Sequence, residues 1–379
     1  MSKVFVIGSS IVSPLGLTAR ETFASVASGK TGLRKSSYPY LQEQTYTSFF
    51  TDKQWETIEA SLAGYLAESR FEQLLLKPLL DVVKSSGISP SDEGVLMVIA
   101  TTKGAIERLG IVPDRKLHLH HAAKRVAVAI GCVNEPIVVS NACISGLSAI
   151  ILAMRMLQAG HYHTALVAGA DVLGHFIISG FDSLLAMSPE RCRPFDKDRQ
   201  GINLGEGGAA LVLKVKEQGE SGEIALLGGS ITNDANHVSA PSRTGEEMAF
   251  AVMQALEEAG IGPCDIQFVS AHGTATLYND EMEAKALNIA GVAHLPTHSL
   301  KGYFGHTMGA AGLIEPIVCF LSLLNKRFIG SLGYRESGTS QPLNICSEPF
   351  DLPVSRAALK TMAGFGGCNA AIVFGVNPI

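Results

Sequence analysis

The sequence has no run of lysine and arginine, and charged residues make up only 17% of its 379 residues. Its formal net charge is −5, so neither a local basic patch nor an overall positive charge is available to attract nucleic acid. It also has no uninterrupted apolar stretch of membrane-spanning length. We therefore expect no nucleic-acid partner and no membrane span. A hydrophobic content of 46% with 39 glycines instead favours a compact enzyme.

The cysteines lack the Cys-x-x-Cys spacing of metal or redox sites, and their number, seven, is odd. They are Cys132, Cys143, Cys192, Cys264, Cys319, Cys346 and Cys368. Free thiols of this kind are typical of a reducing compartment. The first residues indicate a buried strand that ends at Gly8 rather than a secretory signal peptide. We therefore expect a cytoplasmic protein.

Short apolar runs that indicate strands alternate with helical patterns along almost the whole chain. We predict strands at Val95–Ala100, Ile137–Val139, Ala165–Ala168, Ala209–Val215, Ile224–Leu227, Phe268–Ser270 and Ala371–Phe374. We predict helices at about 20–28, 120–130, 144–159, 246–259, 281–290 and 310–325. This alternation is typical of an α/β fold in which helices cover a sheet.

The polar, turn-rich segment 216–222 divides the chain near its middle. We predict two halves, residues 1–218 and residues 219–379. In each half a buried strand ends at a reactive residue and leads into a helix, with Cys143 in the first half and His272 in the second. Two related halves that face each other across a pseudo-dyad would bring these two residues together.

Cys143 lies between an apolar run and a helical pattern in which apolar residues recur as far as Leu157. At this junction the thiol is expected at a helix N-terminus, where unpaired backbone N–H groups favour a thiolate. The helix dipole contributes only about 0.3–2 kcal/mol, so a working nucleophile needs further donors nearby. Taken alone, a small buried cysteine beside a helix is more often a core residue than a catalyst.

Segment 271–283 delivers polar groups from the end of a buried strand. It places His272 directly after the strand, followed by a glycine and two threonines. The pattern indicates a loop that points donors into a cleft. It is equally consistent with a buried histidine that the backbone satisfies.

Segment 299–315 leads into a helix rich in small residues, which allow a helix to pack very close to its neighbours. Lys301 and His306 lie in the loop, and Glu315 lies on the helix. A lysine and a glutamate within an apolar run are costly unless paired, so we expect Glu315 to pair with Lys301 or to orient a histidine. Further on, segment 364–370 is a glycine turn that could bring a backbone N–H to a ligand or could be only a tight turn.

Together these segments resemble the β-ketoacyl-acyl-carrier-protein synthases, the elongating condensing enzymes of the thiolase superfamily. The resemblance runs from residue 4 to about residue 376. Its motifs, in family order, are Val12-Ser13-Pro14-Leu15-Gly16, Ala142-Cys143, Cys192–Gly207, His272-Gly273-Thr274, Lys301 with His306, and Gly364-Phe365-Gly366-Gly367. It implies a thiolase-like α/β fold of two pseudo-dyad-related halves in α-β-α-β-α layers. The nucleophile would lie in residues 1–218 and both histidines in residues 219–379.

The same resemblance implies a role for each catalytic residue. Cys143 would take an acyl group as a thioester. His272 and His306 would donate hydrogen bonds to the thioester carbonyl of the extender while the malonyl group loses carbon dioxide. Lys301 would order the site electrostatically, with Glu315 at the matching glutamate position of the family.

Supporting residues also follow from the resemblance. The backbone N–H groups of Cys143 and Phe365 would form the oxyanion hole. Thr274 and Thr276 match the pair that contacts the phosphopantetheine arm. Two carboxylates, those of Asp280 and Glu283, match groups that support the site from behind.

The resemblance implies no metal and no organic cofactor, because substrates are carried on the phosphopantetheine of an acyl carrier protein. The implied partners are that carrier and a second subunit, in a homodimer or in a heterodimer with a related synthase subunit. Histidines also cluster at 118–121 and at 161–163, but no cysteine or carboxylate stands at a metal-binding spacing from them. We predict no metal site.

The chain departs from the family mainly at residues 103–135, a shortened region that in relatives helps to form the acyl pocket and the dimer interface. Cys368 also replaces a typical threonine. These departures favour a specialised synthase of polyketide or aryl-polyene type over the housekeeping fatty acid enzyme. Two alternatives stay open: a non-elongating partner similar to the chain-length factors, and a thiolase-fold acyltransferase that makes an ester or an amide.

Overall fold

The structure, a computed structural model, describes residues 3–38, 41, 43–236, 238, 240–354 and 356–377. Its helices are α1 (Ala19–Ala27), α2 (Asp52–Ser61), α3 (Arg70–Ser86), α4 (Leu119–Ala129), α5 (Ser145–Gln158), α6 (His175–Ser183), α7 (Glu246–Ala259), α8 (Leu277–Ile289), α9 (Lys301–Phe304) and α10 (Ala311–Leu324). The strands of its main sheet are β1 (Lys3–Val12), β2 (Val95–Ala100), β3 (Ile137–Val139), β4 (Thr164–Asp171), β5 (Gly207–Lys216), β6 (Ile224–Asn233), β7 (Ile266–Ser270), β8 (Thr297–His298), β9 (Ala357–Gly364) and β10 (Cys368–Val376). Shorter strands lie at Arg34–Ser36, Thr45–Ser48, Leu204–Gly205, Arg327–Phe328 and Phe350–Asp351.

The main sheet follows the order β8-β7-β9-β10-β6-β1-β5-β4-β2-β3. β1 and β6 meet in its middle as an antiparallel pair, and five strands lie on each side of that junction. The two sets of five match in order and sense. β2 is parallel to β3 and β4, just as β7 is parallel to β8 and β9, whereas β5 and β10 are antiparallel to their neighbours. The predicted α/β fold with two related halves is therefore confirmed.

Helices cover both faces of each set of strands, which produces five layers. α3 and α4 pack on the outer face of the first set, α7 and α8 pack on the outer face of the second, and α5 and α10 lie between the sets. Strand β2 is apolar along its whole length because both of its faces are buried. Its even-numbered residues join the central core and its odd-numbered residues join the outer one, so neither face is available for polar side chains.

The central helices α5 and α10 touch through glycine, as the small residues of the second helix predicted. A Cβ atom added to Gly312 would lie 2.3 Å from the backbone nitrogen of Leu147, and one added to Gly146 would lie 2.6 Å from the carbonyl oxygen of Gly309. Both contacts are shorter than real Cβ atoms tolerate. The close approach brings the first turns of both helices, and the loops that precede them, to one place.

The structure corrects one detail of the predicted symmetry. Cys143 follows β3, whereas His272 follows β7, the strand that corresponds to β2. The counterpart of β3 is β8, which leads to Lys301 and His306. Cys143 and His272 therefore come together without being equivalent positions of the two halves. None of the described helices is both long enough and apolar enough to span a bilayer.

Candidate active site

A strained turn carries Cys143. Ala142 has φ of +43°, a left-handed conformation that is uncommon for a residue with a side chain. Ser145 stabilises this turn, since its hydroxyl accepts a hydrogen bond from the backbone N–H of Asn141 (2.8 Å) and donates one to the carbonyl oxygen of Ala142 (2.6 Å). Because α5 begins only at Ser145, Cys143 lies just before the helix and its side chain is almost fully buried.

Burial, rather than the helix, determines the ionisation of this thiol. Burial, with smaller contributions from the nearby Cys368 and Asp171, raises the pKa of Cys143 to about 12, because Lys301 and the backbone N–H of Phe365 oppose the rise only in part. Burial thus outweighs the effect expected from the helix N-terminus, and the thiol is protonated in the resting site. A nucleophile must be produced by transfer of the proton to a neighbour.

Two buried carboxylates hold the loop that carries His272. Glu283 accepts hydrogen bonds from the backbone N–H groups of His272 (2.7 Å) and Gly273 (2.8 Å). Asp280 accepts one from the N–H of Thr274 (2.9 Å), and burial raises the pKa of this carboxyl to about 6. Neither carboxylate bonds to an imidazole in these contacts, so both act by fixing the backbone.

His306 is positioned through its own backbone. Its N–H donates to the carbonyl oxygen of Asn203 (2.7 Å), and its carbonyl accepts from the N–H of Gly205 (3.0 Å). The segment before α10 is thereby added as a short bridge to the strand at Leu204. The imidazole is left free of structural hydrogen bonds, because neither of its ring nitrogens has a partner among the described residues.

Three charged side chains form a buried cluster behind the histidines, which we call the lysine–glutamate triad: Lys301, Glu315 and Lys360. The Nζ atom of Lys301 lies 2.5 Å from Oε1 of Glu315, and that of Lys360 lies 2.8 Å from Oε2. Burial alone would raise the pKa of Glu315, but the two ammonium groups lower it to about 2. The predicted pairing of Glu315 with Lys301 is present, with a second lysine that the sequence had not suggested.

The side chains of Cys143, His272 and His306, which we call the thiol–imidazole cluster, converge in one buried pocket. One ligand atom from each lies within 4.8 Å of the other two, and the two imidazole rings are 5.2 Å apart edge to face. Burial lowers the pKa of both histidines well below its ordinary value, and Lys301 lowers it further. Both imidazoles are therefore neutral near pH 7 and able to donate a hydrogen bond without being charged.

A cavity of about 300 Å³ connects the thiol–imidazole cluster to the surface. Apolar side chains form much of its wall, and polar groups enter it at a few points. Its lining includes Phe181, Leu184, Leu185, Ala186, Ile202, Thr274, Thr276, Arg199 and Phe365, besides the cluster itself. Thr274 and Thr276 share a hydroxyl–hydroxyl hydrogen bond of 2.8 Å at this wall. An apolar chain with a polar head group suits such a cavity.

The glycine turn after β9 closes over the thiol. A Cβ atom on Gly364 would lie 3.0 Å from the backbone nitrogen of Cys143 and 2.8 Å from Sγ of Cys368, so only glycine permits this approach. Phe365 follows with its ring 5.9 Å from that of Phe181 and half-exposed at the mouth of the cavity. Its backbone N–H faces the thiol and lowers the pKa of Cys143. The turn thus delivers an N–H to the reacting centre.

Sequence patterns missed two buried groups at the site, Lys360 and Asp171. Lys360 lies in β9, a strand that the patterns did not predict because Lys360 and Thr361 interrupt its apolar run. Asp171 ends β4 and accepts hydrogen bonds from Thr102 (N–H 3.0 Å, hydroxyl 2.8 Å) and from the N–H of Ala310 (3.2 Å). A charged residue on the inward face of an otherwise apolar run would have been the signal for both.

The thiol and the two imidazoles also form a donor set of the kind that binds zinc. Two features oppose a cation here. The thiol is protonated, and the two ammonium groups of the triad exceed its single carboxylate by one charge. The donor set therefore suits proton transfer and hydrogen bonding better than metal binding, and the absence of a metal stays a prediction.

Comparison with known proteins decides the family. The model of the β-ketoacyl synthase N-terminal domain matches residues 1–219, and that of the C-terminal domain matches residues 224–335. The chain belongs to the β-ketoacyl synthase family. As a member of that family it is an acyltransferase of the condensing type, with the thiolase-like fold that the resemblance implied.

Similar proteins cover most or all of the chain. The 3-oxoacyl-[acyl-carrier-protein] synthase 2 of Staphylococcus aureus is 33% identical over 278 residues, which is 70% of this chain and 67% of that protein. The protein of the same name from Mycobacterium tuberculosis is 29% identical over 413 residues, 98% of this chain and 97% of its own. Among solved structures, a chain from the complex of the ketosynthase ApeO with its chain length factor ApeC from Xenorhabdus doucetiae is 26% identical. That structure has a TM-score of 0.85 over 99% of this chain and 98% of its own.

Proposed function

We propose that this β-ketoacyl synthase loads an acyl group on Cys143 and condenses it with malonyl-acyl carrier protein, with loss of carbon dioxide. The observation that carries the proposal is the thiol–imidazole cluster: a nucleophile and two neutral donors within reach of one substrate, in a buried pocket. A carbanion equivalent requires such a dry site with fixed donors, because water would protonate it. The thioester intermediate divides the formation of the carbon–carbon bond into two easier steps.

In the first step the sulfur of Cys143 attacks the thioester carbonyl of an acyl-carrier. The thiol proton passes to a neighbouring imidazole and then to the departing carrier thiol, so the atoms balance as acyl-Cys143 and free carrier. The negative charge on the carbonyl oxygen would be held by the backbone N–H groups of Cys143 and Phe365. The close approach of the glycine turn to the thiol supports this assignment.

In the second step malonyl-carrier loses carbon dioxide, and the electron pair of the broken bond becomes an enolate. His272 and His306 would donate hydrogen bonds to its oxygen, since both are neutral and retain ring nitrogens without structural partners. The enolate carbon then attacks acyl-Cys143 and displaces the sulfur as a thiolate, which takes up one proton from solvent to restore the thiol. Lys301 would hold the electrostatic environment constant throughout, with Glu315 as its partner.

Thr274 and Thr276 would bind the phosphopantetheine arm, because both line the cavity that contains the thiol–imidazole cluster. Asp280 and Glu283 would support this binding indirectly, through the loop they fix. The substrates would arrive on an acyl carrier protein, as they do by name in the related 3-oxoacyl-[acyl-carrier-protein] synthases. We propose that no metal or organic cofactor is needed, because the carrier thioester already activates both substrates.

The test is acylation and product analysis with the purified chain, malonyl-carrier and a set of acyl-carriers. Mass spectrometry should find acyl-Cys143 and a β-ketoacyl product. Cys143→Ala should abolish both, whereas Cys264→Ala, which changes an exposed cysteine, should leave both unchanged. Continued acyl transfer by Cys143→Ala would end the proposal.

The same experiment separates the alternatives. A partner of the chain-length-factor type would neither acylate nor decarboxylate malonyl-carrier alone, and the presence of Cys143 in a cavity weighs against it. An acyltransferase that makes an ester or an amide would acylate Cys143 and pass the group to an added alcohol or amine, without loss of carbon dioxide. The two histidines favour condensation, because simple acyl transfer needs only one base.

The second subunit would contact residues 103–135. Four apolar side chains of this region are exposed in the single chain: Leu109, Ile111, Val128 and Val133. An apolar patch formed by such side chains is typical of an interface. None of these residues lines the cavity described above, so an influence on acyl-chain length would act through the partner subunit. Whether that partner is a second copy or a related synthase subunit, as in the ApeO–ApeC complex, sets the pathway.

Ile111→Glu is expected to break this interface, since a buried unpaired carboxylate costs several kcal/mol. Sedimentation velocity of the purified chain should then show a shift from dimer to monomer, whereas Ile289→Glu, at an exposed apolar residue of α8, should not. A dimer that survives Ile111→Glu would place the interface elsewhere.

A reducing compartment, and hence the cytoplasm, would suit all seven cysteines, which are free.

A further inference from the structure

Lys360 occupies an unusual place for a charged side chain. It lies in β9 on the face that turns towards α10, together with Ala358 and Met362, and it is fully buried. Its ammonium donates hydrogen bonds to the carbonyl oxygens of Ser270 (3.1 Å), Ala271 (3.1 Å) and Thr361 (2.9 Å). Because Ala271 directly precedes His272, Lys360 is bound to the end of the strand that delivers one of the two imidazoles.

The charge of the triad changes because of this lysine. Lys301 and Glu315 alone would form a neutral buried pair. Lys360 contacts the second oxygen of the same carboxylate, 2.8 Å away, so three buried charges sum to +1. An uncompensated buried charge is costly unless an anion is present part of the time. The thiol–imidazole cluster is the place beside the triad where an anion forms.

We propose that Lys360 is a positioning residue that gives the lysine–glutamate triad its net positive charge, and that this charge favours anions in the thiol–imidazole cluster. The anions are the Cys143 thiolate and the enolate. The effect of this charge on the enolate rests on the proposed function. The effect on the ionisation of the Cys143 thiol does not depend on it.

The surroundings of Lys360 leave few other charges to cancel its effect. The titratable groups that face it are Glu315 and Cys319 from α10, His272 from the loop after β7, His298 from β8, Lys301 and His306 from the segment after β8, and, through Thr361, Glu283 from α8. Glu283 already accepts hydrogen bonds from two backbone N–H groups and from Thr361. Lys360 lowers the pKa of His272 and His306, which agrees with a positive potential at the cluster.

The test compares alkylation of Cys143 by iodoacetate and by iodoacetamide at pH 8. The same thiolate reacts with the anionic iodoacetate and with the neutral iodoacetamide. The ratio of the two rate constants is therefore independent of the fraction of thiol that is ionised, and it reports the electrostatic potential at the sulfur. Cys143 is followed by peptide mass spectrometry, with the exposed Cys264 in the same sample as an internal reference. Four proteins complete a charge cycle: the wild type (+1), K360M (0), E315Q (+2) and the double variant K360M/E315Q (+1).

We expect the iodoacetate to iodoacetamide ratio at Cys143 to fall roughly tenfold in K360M and to rise similarly in E315Q. The double variant should return it to near the wild-type ratio. K360R, which keeps the charge, should stay within a factor of about two of the wild type. The ratio at Cys264 should be constant throughout, and Lys216→Met, which removes a lysine from an ion pair with Glu223, should change neither cysteine.

Each outcome decides the proposal. An unchanged ratio in K360M, or in the double variant relative to E315Q, overturns it, and either comparison suffices if one variant does not fold. Failure of both variants that lack Lys360 to fold would assign the residue a structural role and overturn it as well. Alkylation needs neither carrier nor malonyl group. A wild type that shows the charge cycle but no condensation would therefore refute the proposed function and leave this inference standing.

Discussion

At the scale of single residues, the site works by burial more than by proximity of charges. Burial raises the pKa of the Cys143 thiol to about 12 and lowers the pKa of both histidines, so the resting cluster carries no charge. In the proposed mechanism, proton transfer from thiol to imidazole is then costly until a thioester arrives to receive the sulfur. The thiol should therefore react slowly in the empty site.

Removal of His306 tests the role of a neutral donor. His306→Ala should reduce kcat for malonyl decarboxylation about 10²–10³-fold, the usual cost of one donor at a developing oxyanion. Acyl loading of Cys143 should fall less, because the oxyanion hole that we propose for that step consists of backbone N–H groups. His294→Ala, at an exposed histidine, is the control. Equal losses in both half-reactions would contradict the assignment.

The pH dependence of decarboxylation follows from the same groups. Because the pKa of His272 and His306 lies well below 6.5, both stay neutral as the pH falls from 8 to 6.5. The rate constant should therefore remain flat over this interval in stopped-flow measurements of carbon dioxide release. A decline with a midpoint near 6.5 would show that a histidine titrates as if exposed.

At the scale of elements, the crossing of α5 and α10 determines where the reactive loops meet. Gly146 and Gly312 lie at the contact, and backbone atoms of each helix occupy the space where the other would need a Cβ atom. The loops with Cys143 and His306 precede these helices. A larger separation of the helices would therefore open the pocket as well as the core.

Gly312→Ala should destabilise the fold by about 1–3 kcal/mol or more, since the added methyl group has no room beside Leu147. Urea unfolding measures this loss. Gly180→Ala in α6 is the matched control: nothing lies within 4 Å of its added Cβ, so helix propensity predicts a gain of about 0.5–1 kcal/mol. Equal effects at both glycines would show that α5 and α10 are not packed as described.

Many of the helices and strands could be predicted from the sequence. The strands at 95–100 and 137–139 and the helix at 246–259 have the predicted bounds, because each has an unbroken periodic pattern. α8 begins at Leu277, four residues before the prediction, since the polar start of that helix hides its periodicity. β9 was missed because the residues that make it functional, Lys360 and Thr361, also break its apolar run.

For the site residues, too, some properties could be predicted from the sequence and others could not. The reactive groups could be proposed from motifs, because a thiol, two histidines and a glycine turn at strand ends form a recognisable set. Their ionisation could not, since it depends on burial and on neighbours such as Lys360 and Asp171 that are distant in sequence. The convergence of Cys143 and His272 from non-equivalent strands could likewise not be predicted without the strand topology.

At the scale of the whole molecule, one buried acid links stability to pH. Glu206 accepts hydrogen bonds from the backbone N–H groups of Phe50 (2.9 Å) and Leu173 (3.0 Å), and so joins segments far apart in the chain. Burial raises its pKa from 4.5 to about 7 in spite of these bonds. The folded state therefore holds this proton more tightly than the unfolded chain.

This group should make the protein less stable as the pH rises from about 4.5 through 7, by up to ~3 kcal/mol. The contribution is complete below pH 4.5 and is lost as the carboxyl ionises in the folded state. Glu206→Gln should remove this part of the slope when urea unfolding is measured at several pH values, although the amide lowers the overall stability by losing one acceptor. An unchanged slope would assign the dependence to other groups.

The boundary between the halves remains our proposal, residues 1–218 and 219–379. It is supported by the matched order of the two sets of strands, which meet where β1 pairs with β6. The main sheet is thus continuous across the boundary, and the central core draws residues from both sides. Neither half would keep its inner face covered if separated.

The glycine contact between α5 and α10 has a mechanical consequence. If the two halves rock against each other, the crossing acts as a pivot, because backbone atoms there cannot slide past one another. Displacements grow with distance from a pivot. Cys143 is three residues from Gly146 and His306 is six from Gly312, so both lie close to the pivot, whereas the sheet edges would move most. Rocking of the halves would therefore move the sheet edges and leave the alignment of Cys143 and His306 nearly unchanged.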